Sequence, residues 1–197
     1  MRESGIYQMY LKNLLDRLLA LVGTAALSWL LILLGIAIHL DSPGPIFFRQ
    51  KRAGKNGTYF YIYKFRTMRI DTPHDMPTHM LNNPDLFITR VGRFLRKTSL
   101  DELPQLFNIL MGQLSLVGPR PVLQEETELY GDKRSLLLSC KPGLTGLWQS
   151  RGRSNVTYEN GRRQEMELRY VRERSLWLDF KILLWTVKAV VRMDGAR

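Results

Sequence analysis

One segment limits the folds open to this chain. From Leu18 to Leu40 there is no Asp, Glu, Lys or Arg. As a helix rising about 1.5 Å per residue, that stretch reaches across a hydrocarbon core of roughly 30 Å. It is too long for the apolar core of a signal peptide, and no small-residue cleavage site follows it. Charged residues close both ends, Asp16-Arg17 before and Asp41 after, which argues against a helix buried in a soluble core. The reading is a membrane anchor over residues 1–41 and one further domain over 42–197.

Charge sets the expected orientation. Arg49, Lys51, Arg52, Lys55, Lys64, Arg66 and Arg69 load the C-terminal flank of the anchor, and positive flanks stay in the cytoplasm. The domain is therefore expected on the cytoplasmic face of the membrane. The N-terminal flank, with Arg2, Lys12 and Arg17 against Glu3 and Asp16, is nearly balanced. Two topologies fit: a single span with the N-terminus outside, and a bent helix that enters and leaves one leaflet. The segment has no proline, so a bend would fall to Gly23, Ser28 or Gly35.

The whole chain carries 29 Lys+Arg against 18 Asp+Glu, a formal +11. Such a balance attracts anionic headgroups, phosphorylated substrates or nucleic acid. Zinc-finger spacing, helix-turn-helix cues and aromatic-basic RNA motifs are all missing from the sequence, so no nucleic-acid partner is expected. Cys140 is the single cysteine, which rules out an intramolecular disulfide and suits a reducing compartment.

After the anchor, Asp41-Ser42-Pro43-Gly44-Pro45 is a turn signal. Ile46–Gln50 and Tyr59–Arg66 read as two strands around the turn Ala53–Gly57, a short hairpin. Tyr59, Tyr61 and Tyr63 alternate and read as one strand face. Residues 70–86 hold three prolines together with His74 and His79, and read as an irregular loop with solvated histidines. Helices are expected over Arg90–Leu95, Asp101–Met111, Leu123–Leu138 and Tyr158–Val171, with Lys141–Gly146 as a turn. Leu176–Val191 is apolar, carries Trp177 and Trp185, and suits either a core helix or one lying in the membrane interface, the second being favoured. The fold class is α+β and mostly helical: a membrane helix, a short β-hairpin, and a helical domain with interfacial amphipathic helices.

The chemistry concentrates in residues 96–121. Ser99-Leu100-Asp101-Glu102 has the spacing of a capping box, which explains one carboxylate and leaves Asp101 over. A carboxylate at a helix start is held ionised by the helix dipole and can attack phosphorus to form an acyl phosphate. Its neighbour can share in holding Mg²⁺, which takes one or two carboxylates plus phosphate oxygens. Arg120, between Pro119 and Pro121, suits bidentate phosphate binding. Arg96 and Lys97 add positive charge, and Arg151-Gly152-Arg153 reads equally as a phosphate contact or a solvated surface.

These runs together resemble a known family. Ser-Pro-Gly-Pro-Ile-Phe-Phe-Arg-Gln (42–50), Tyr-Lys-Phe-Arg-Thr-Met (63–68), Ser-Leu-Asp-Glu-Leu-Pro-Gln-Leu (99–106), Ser-Leu-Val-Gly-Pro-Arg-Pro (115–121) and Lys-Pro-Gly-Leu-Thr-Gly (141–146) occur in the order seen in bacterial sugar transferases. More narrowly they resemble the small monotopic phosphoglycosyl transferases. The resemblance implies an enzyme that starts surface-polysaccharide or capsule assembly by moving a sugar 1-phosphate from a UDP-sugar to undecaprenyl phosphate, releasing UMP, with Mg²⁺ required. It implies Asp101 as the nucleophile that holds the phosphosugar, Glu102 assisting metal or proton handling, and both near the metal. It implies phosphate contacts from Arg120 and Arg153, with Arg96, Lys64 and Arg66 as further basic residues of the site. Membrane lipid is an implied partner and a homodimer an admissible assembly. The family's anchor is broken by a Ser-Pro pair into a re-entrant helix; here Ser28-Trp29 stands at that place. The competing class is a non-catalytic, membrane-tethered scaffold that binds lipid phosphates.

Overall fold

The computed structural model describes residues 10–72, 84–151 and 161–192. Helix α1 spans Lys12–Asp41 and runs unbroken through Ser28-Trp29, where the Ser28 hydroxyl donates to Ala25 O. Its most apolar window is only 17% buried. Leu14, Leu18, Leu21, Val22, Trp29, Ile32, Leu33, Ile36 and Leu40 all face outward. A core helix would hide these side chains. This one presents them, as an anchor does.

What α1 buries is a thin line, Asp16, Ala20, Leu34, Gly35 and Ile38. Near its N-terminus Asp16 accepts from Ser115 Oγ (2.6 Å) and from Leu116 N (3.3 Å). Lys12 donates to Asp179 (2.5 Å), and Lys141 donates to Asn13 (2.9 Å). At the other end Asp41 accepts from Val91 N (2.9 Å). Both ends of a helix about 45 Å long, 30 residues at 1.5 Å each, are thus held by the same domain. A helix crossing a bilayer places its ends on opposite faces, so a straight span with the domain on one side does not fit these contacts.

The hairpin forms as expected, with β1 (Phe47–Ala53) antiparallel to β2 (Tyr59–Phe65) and Phe47 opposite Phe65. Alternation puts Phe60 and Ile62 into the core with Ala20, Leu106, Ile109 and Leu114, and leaves Tyr59 and Tyr61 outside. After the hairpin Arg66 spends its guanidinium on the turn that leaves α1: it donates to Pro43 O (2.7 Å), Ser42 O (2.5 Å) and Ser42 Oγ (2.9 Å). Gly44, at φ +120°, lets that guanidinium pass, since a Cβ there would meet Nη1 at 2.1 Å.

Three expected elements come out differently. Ser99 does not cap an α-helix with its side chain: helix α2 (Arg90–Thr98) ends on it in the left-handed region, φ 59°, and its hydroxyl makes no cap bond to the turn that follows. The chain then makes one 3₁₀ turn, Leu100–Glu102, and restarts after Pro104 as α3 (Gln105–Leu110). The expected helix over 101–111 is therefore two pieces, because proline opens a helix rather than continuing one. The expected helix over 123–138 is also divided, into α4 (Gln124–Glu128), a 3₁₀ turn at Gly131–Lys133 and α5 (Arg134–Leu137), with Gly131 at φ +49°. The predicted turn at 141–146 contains a strand, β4 (Gly143–Thr145), parallel to β3 (Ser115–Val117).

The helices α6 (Leu147–Arg151), α7 (Arg162–Glu173) and α8 (Leu176–Val191) complete the domain. Helix α8 answers to both readings of its sequence. It buries Ile182 and Ala189 against the domain, while Leu176, Trp177, Phe180, Leu184, Val187 and Val191 form an exposed apolar stripe.

Asn108, fully buried on α3, clips that helix to the hairpin. Its Nδ2 donates to Tyr61 O (2.7 Å) and to Gln113 Oε1 (2.8 Å), and its Oδ1 accepts from Tyr63 N (3.0 Å). Asn108→Leu orphans both strand groups, and each unpaired buried group costs about 1–3 kcal/mol. Thermal unfolding followed by circular dichroism should show a lower Tm for Asn108→Leu, by at least roughly 2–4 °C for a domain of this size. Gln113→Ala, exposed and on the same network, should stay near wild type.

Candidate active site

The 3₁₀ turn puts Asp101 and Glu102 beside the end of β2, which brings Lys64 against them: its Nζ donates to Glu102 Oε1 at 2.6 Å. Arg120 Nη1 reaches the same oxygen at 3.8 Å from the other side. Helix α2 supplies Arg96, whose Nε donates to Thr67 Oγ1 at 2.8 Å. Lys64, Arg96 and Arg120 all draw on the Asp101 carboxylate. Three segments distant in sequence thus place three cations around two carboxylates. The cluster is net positive, as a site for a polyanionic ligand should be.

Arg120 is fixed from both sides by backbone bonds as well as by its prolines. Gly143 N donates to Pro119 O (2.8 Å), Gly118 N donates to Thr145 O (2.9 Å), and Ala53 N donates to Val122 O (2.9 Å). Arg52 Nη1 adds a bond to Pro121 O at 3.3 Å. Gly118 and Gly143 allow the strands to come this close: a Cβ on Gly143 would fall 2.0 Å from Gly118 N. Beyond the backbone, Arg120 lies over the Trp148 ring at 5.6 Å, and Arg163 covers the same ring at 4.4 Å. Arg163 in turn donates to the buried Glu167 (3.3 Å), which also accepts from Tyr130. The sequence reading missed Thr67, Trp148, Arg163 and Glu167. Only the Gly146-Leu147-Trp148-Gln149 run, a tryptophan directly after a turn, carried a signal for any of them.

The predicted site residues therefore divide. Asp101, Glu102, Lys64, Arg96 and Arg120 converge. Arg66 does not: it is the buried clamp on Ser42 and Pro43, with its donors aimed at carbonyl oxygens. Arg153, His74 and His79 lie outside the described residues.

The electrostatics of Asp101 also depart from expectation. Its turn opens no long helix, so no strong dipole holds it ionised. Burial pushes its carboxyl above the usual carboxylate range; Lys64 is the largest opposing influence, Glu102 adds to the rise by repulsion, and Arg96 and Arg120 pull it back down. Arg96, half-buried, is lowered by desolvation and supported by Asp101 and Asp85.

No group of three or more potential metal ligands occurs among the described residues. The adjacent Asp101 and Glu102 carboxylates nonetheless fit Mg²⁺, a hard cation that keeps waters and takes phosphate oxygens from its substrate.

Comparison with known proteins supplies the family. Residues 7–193 match the bacterial sugar transferase family, and the chain belongs to it. It is 41% identical to the undecaprenyl-phosphate galactose phosphotransferase of Salmonella typhimurium over 95% of its length, and 38% identical to the UDP-glucose:undecaprenyl-phosphate glucose-1-phosphate transferase of Xanthomonas campestris over all of it. It spans only 42% and 43% of those two proteins. It is also 38% identical to the exopolysaccharide production protein ExoY of Sinorhizobium fredii, and there covers 87% of the relative.

A raised carboxyl has a consequence for stability. The folded protein keeps the Asp101 proton to higher pH than the unfolded chain, so the favourable contribution is full below 3.8 and is lost as pH rises through the raised value. At neutral pH, well above 3.8, the burial of this carboxyl is a cost to the fold. Asp101→Asn should raise Tm at pH 7.5 in the presence of chelator by about 2–4 °C, what roughly 1 kcal/mol does in such a domain. The gain should vanish as the pH is lowered toward 4.

Proposed function

We propose that this member of the bacterial sugar transferases moves a sugar 1-phosphate from a UDP-sugar to undecaprenyl phosphate at the cytoplasmic face of the membrane, and so starts a surface polysaccharide. The observation that carries the reading is the Asp101–Glu102 pair ringed by Lys64, Arg96 and Arg120 in a domain laid along an apolar helix. The Salmonella and Xanthomonas relatives, both named for undecaprenyl phosphate and the second also for UDP-glucose, support the acceptor and the class of donor.

In this reading an Asp101 oxygen attacks the β-phosphorus of the UDP-sugar. A phosphorus–oxygen bond to Asp101 forms as the bond to the bridging oxygen breaks, and UMP leaves with that electron pair. Lys64, Arg96 and Arg120 stabilise the charge that gathers on the phosphoryl oxygens. An oxygen of undecaprenyl phosphate then attacks the same phosphorus, and Asp101 leaves as the carboxylate. The product is a lipid diphosphate sugar. Glu102 takes the proton of an acceptor that arrives as the hydrogen phosphate. Mg²⁺, held by Asp101 and Glu102, would supply further neutralisation of the diphosphate.

A nucleophile whose carboxyl is raised by burial is a poor one until it is ionised. The three cations counter that burial, so losing one should hurt more than losing a single phosphate contact. Lys64 is the strongest of the three at Asp101.

The test is UMP release by the purified, nanodisc-held protein, given undecaprenyl phosphate, Mg²⁺ and a panel of UDP-sugars. Release with one sugar, abolished by chelator and by Asp101→Asn, is the expected result. Lys64→Met should lower kcat by roughly 10²-fold or more, the scale of removing one preorganised charge-stabilising donor. Release that survives Asp101→Asn would rule out the covalent route. No release with any sugar would favour the scaffold.

A further inference from the structure

Apart from the Asp101 cluster, helices α6 and α8 line a basic cleft of about 260 Å³, formed by Ser150, Arg151, Trp185, Lys188, Ala189 and Arg192. We propose that this cleft binds the phosphate of a membrane lipid, separately from the Asp101 site.

Three observations converge on an anion. First, the lining offers three cations and a hydroxyl, with no carboxylate among the lining residues. None of Arg151, Lys188 and Arg192 has an acidic partner among the described residues, although the chain pairs many of its other bases. Second, Lys188 in the last turn of α8 and Arg192 at its C-cap stand one turn apart, where like charges repel. Bases at a helix C-terminus complement its dipole, and that alone would explain those two. It does not explain Arg151, which comes from another helix into the same cleft. Third, Arg151 is held in place, its guanidinium 4.3 Å over the Trp185 ring. A stacked guanidinium keeps its edge N–H groups free to form a bidentate contact with phosphate.

Two further observations identify the kind of phosphate. The cleft is below the roughly 300–1,000 Å³ of sites for drug-sized ligands, so it suits a headgroup better than a nucleotide sugar. It also borders the exposed apolar stripe of α8: Leu184 lies one turn from Lys188, and Val187 and Val191 flank it. Basic side chains at the margin of an apolar face reach for the headgroup layer while their stems stay with the acyl chains. A phosphate at that depth belongs to a lipid whose tail lies along the stripe. The inference rests on the membrane placement of α8 and not on the chemistry of Asp101.

Isothermal titration of the full-length protein in neutral maltoside micelles with chelator tests it, using three probes: dioctanoyl phosphatidic acid, dioctanoyl phosphatidylglycerol and inorganic phosphate. Wild type is compared with Arg151→Gln/Lys188→Gln/Arg192→Gln and with Lys51→Gln/Lys55→Gln/Lys133→Gln, which removes the same charge from exposed positions elsewhere. At about 1.4 kcal/mol per tenfold and more than that per charged hydrogen bond, the cleft triple should lose at least about tenfold in lipid affinity. The control should stay within about twofold, as screened surface charges do. The loss of affinity on removing Arg151, Lys188 and Arg192 should be the same in an Asp101→Asn background, so the inference can stand if the transfer chemistry fails. Preference for phosphatidic acid would assign a phosphomonoester lipid; equal binding of both lipids would assign the general anionic headgroup. Equal affinity for the wild type and the cleft triple, or inorganic phosphate binding as tightly as either lipid, would overturn it.

Discussion

The arrangement of this domain depends on carboxylates at the two ends of an apolar helix. Asp16 accepts from Ser115 and Leu116, and Asp41 accepts from Val91. Between them α1 buries little besides Ala20, Leu34 and Ile38, so its apolar contacts alone would let it slide or rotate. Asp16, buried, and Asp41, half-buried, resist sliding, because a carboxylate that leaves its hydrogen-bond donors in a partly dry position loses more than it regains. Asp16 holds the start of β3, from which the chain runs to Arg120. Asp41 holds the first turn of α2, which carries Arg96. Lys12 extends the same tie to Asp179 on α8, whose other oxygen accepts from Tyr170 at 2.7 Å. The anchor is thereby a structural member of the site as well as an attachment.

The site itself is a balance between burial and charge. Asp101 is pushed toward the neutral acid by its surroundings and pulled toward the carboxylate by cations from β2, α2 and the loop after β3. Such tension is what a fold carries where it must keep a reactive group. Arg120 is set by the pairing of Gly118 with Thr145 and of Pro119 with Gly143, so its place depends on β4 and on Trp148 as much as on its own prolines. Arg66 shows the opposite outcome. It is as basic as its neighbours, yet its charge is absorbed by the Ser42 and Pro43 carbonyls, and it steadies the exit from α1.

Much of this was legible in the sequence, for reasons that differ by element. The anchor, the hairpin and the apolar face of α8 are local patterns, readable from charge-free length, alternation and helical spacing. The acid pair and the Pro-Arg-Pro run stood out as candidates by residue type, and the fold brings them together, with Arg120 3.8 Å from Glu102. The parallel pairing of β3 with β4 was not. Three-residue strands carry almost no periodicity, and a parallel partner lies beyond any local window. The helix expected over 101–111 failed because the left-handed Ser99 and Pro104 together admit only one tight turn between α2 and α3. Composition alone did not separate Arg66 from Lys64, since the difference lies in which carbonyls the fold brings near.

The central claim is that Asp101 is a nucleophile. Intact-mass analysis of the purified protein, incubated with Mg²⁺ and its UDP-sugar but with no lipid acceptor, reads this directly. The account predicts an adduct of one sugar phosphate per chain, mapped to the peptide containing Asp101, missing in Asp101→Asn and discharged on adding undecaprenyl phosphate. Turnover without any such adduct, with Asp101 unmodified throughout, would contradict it.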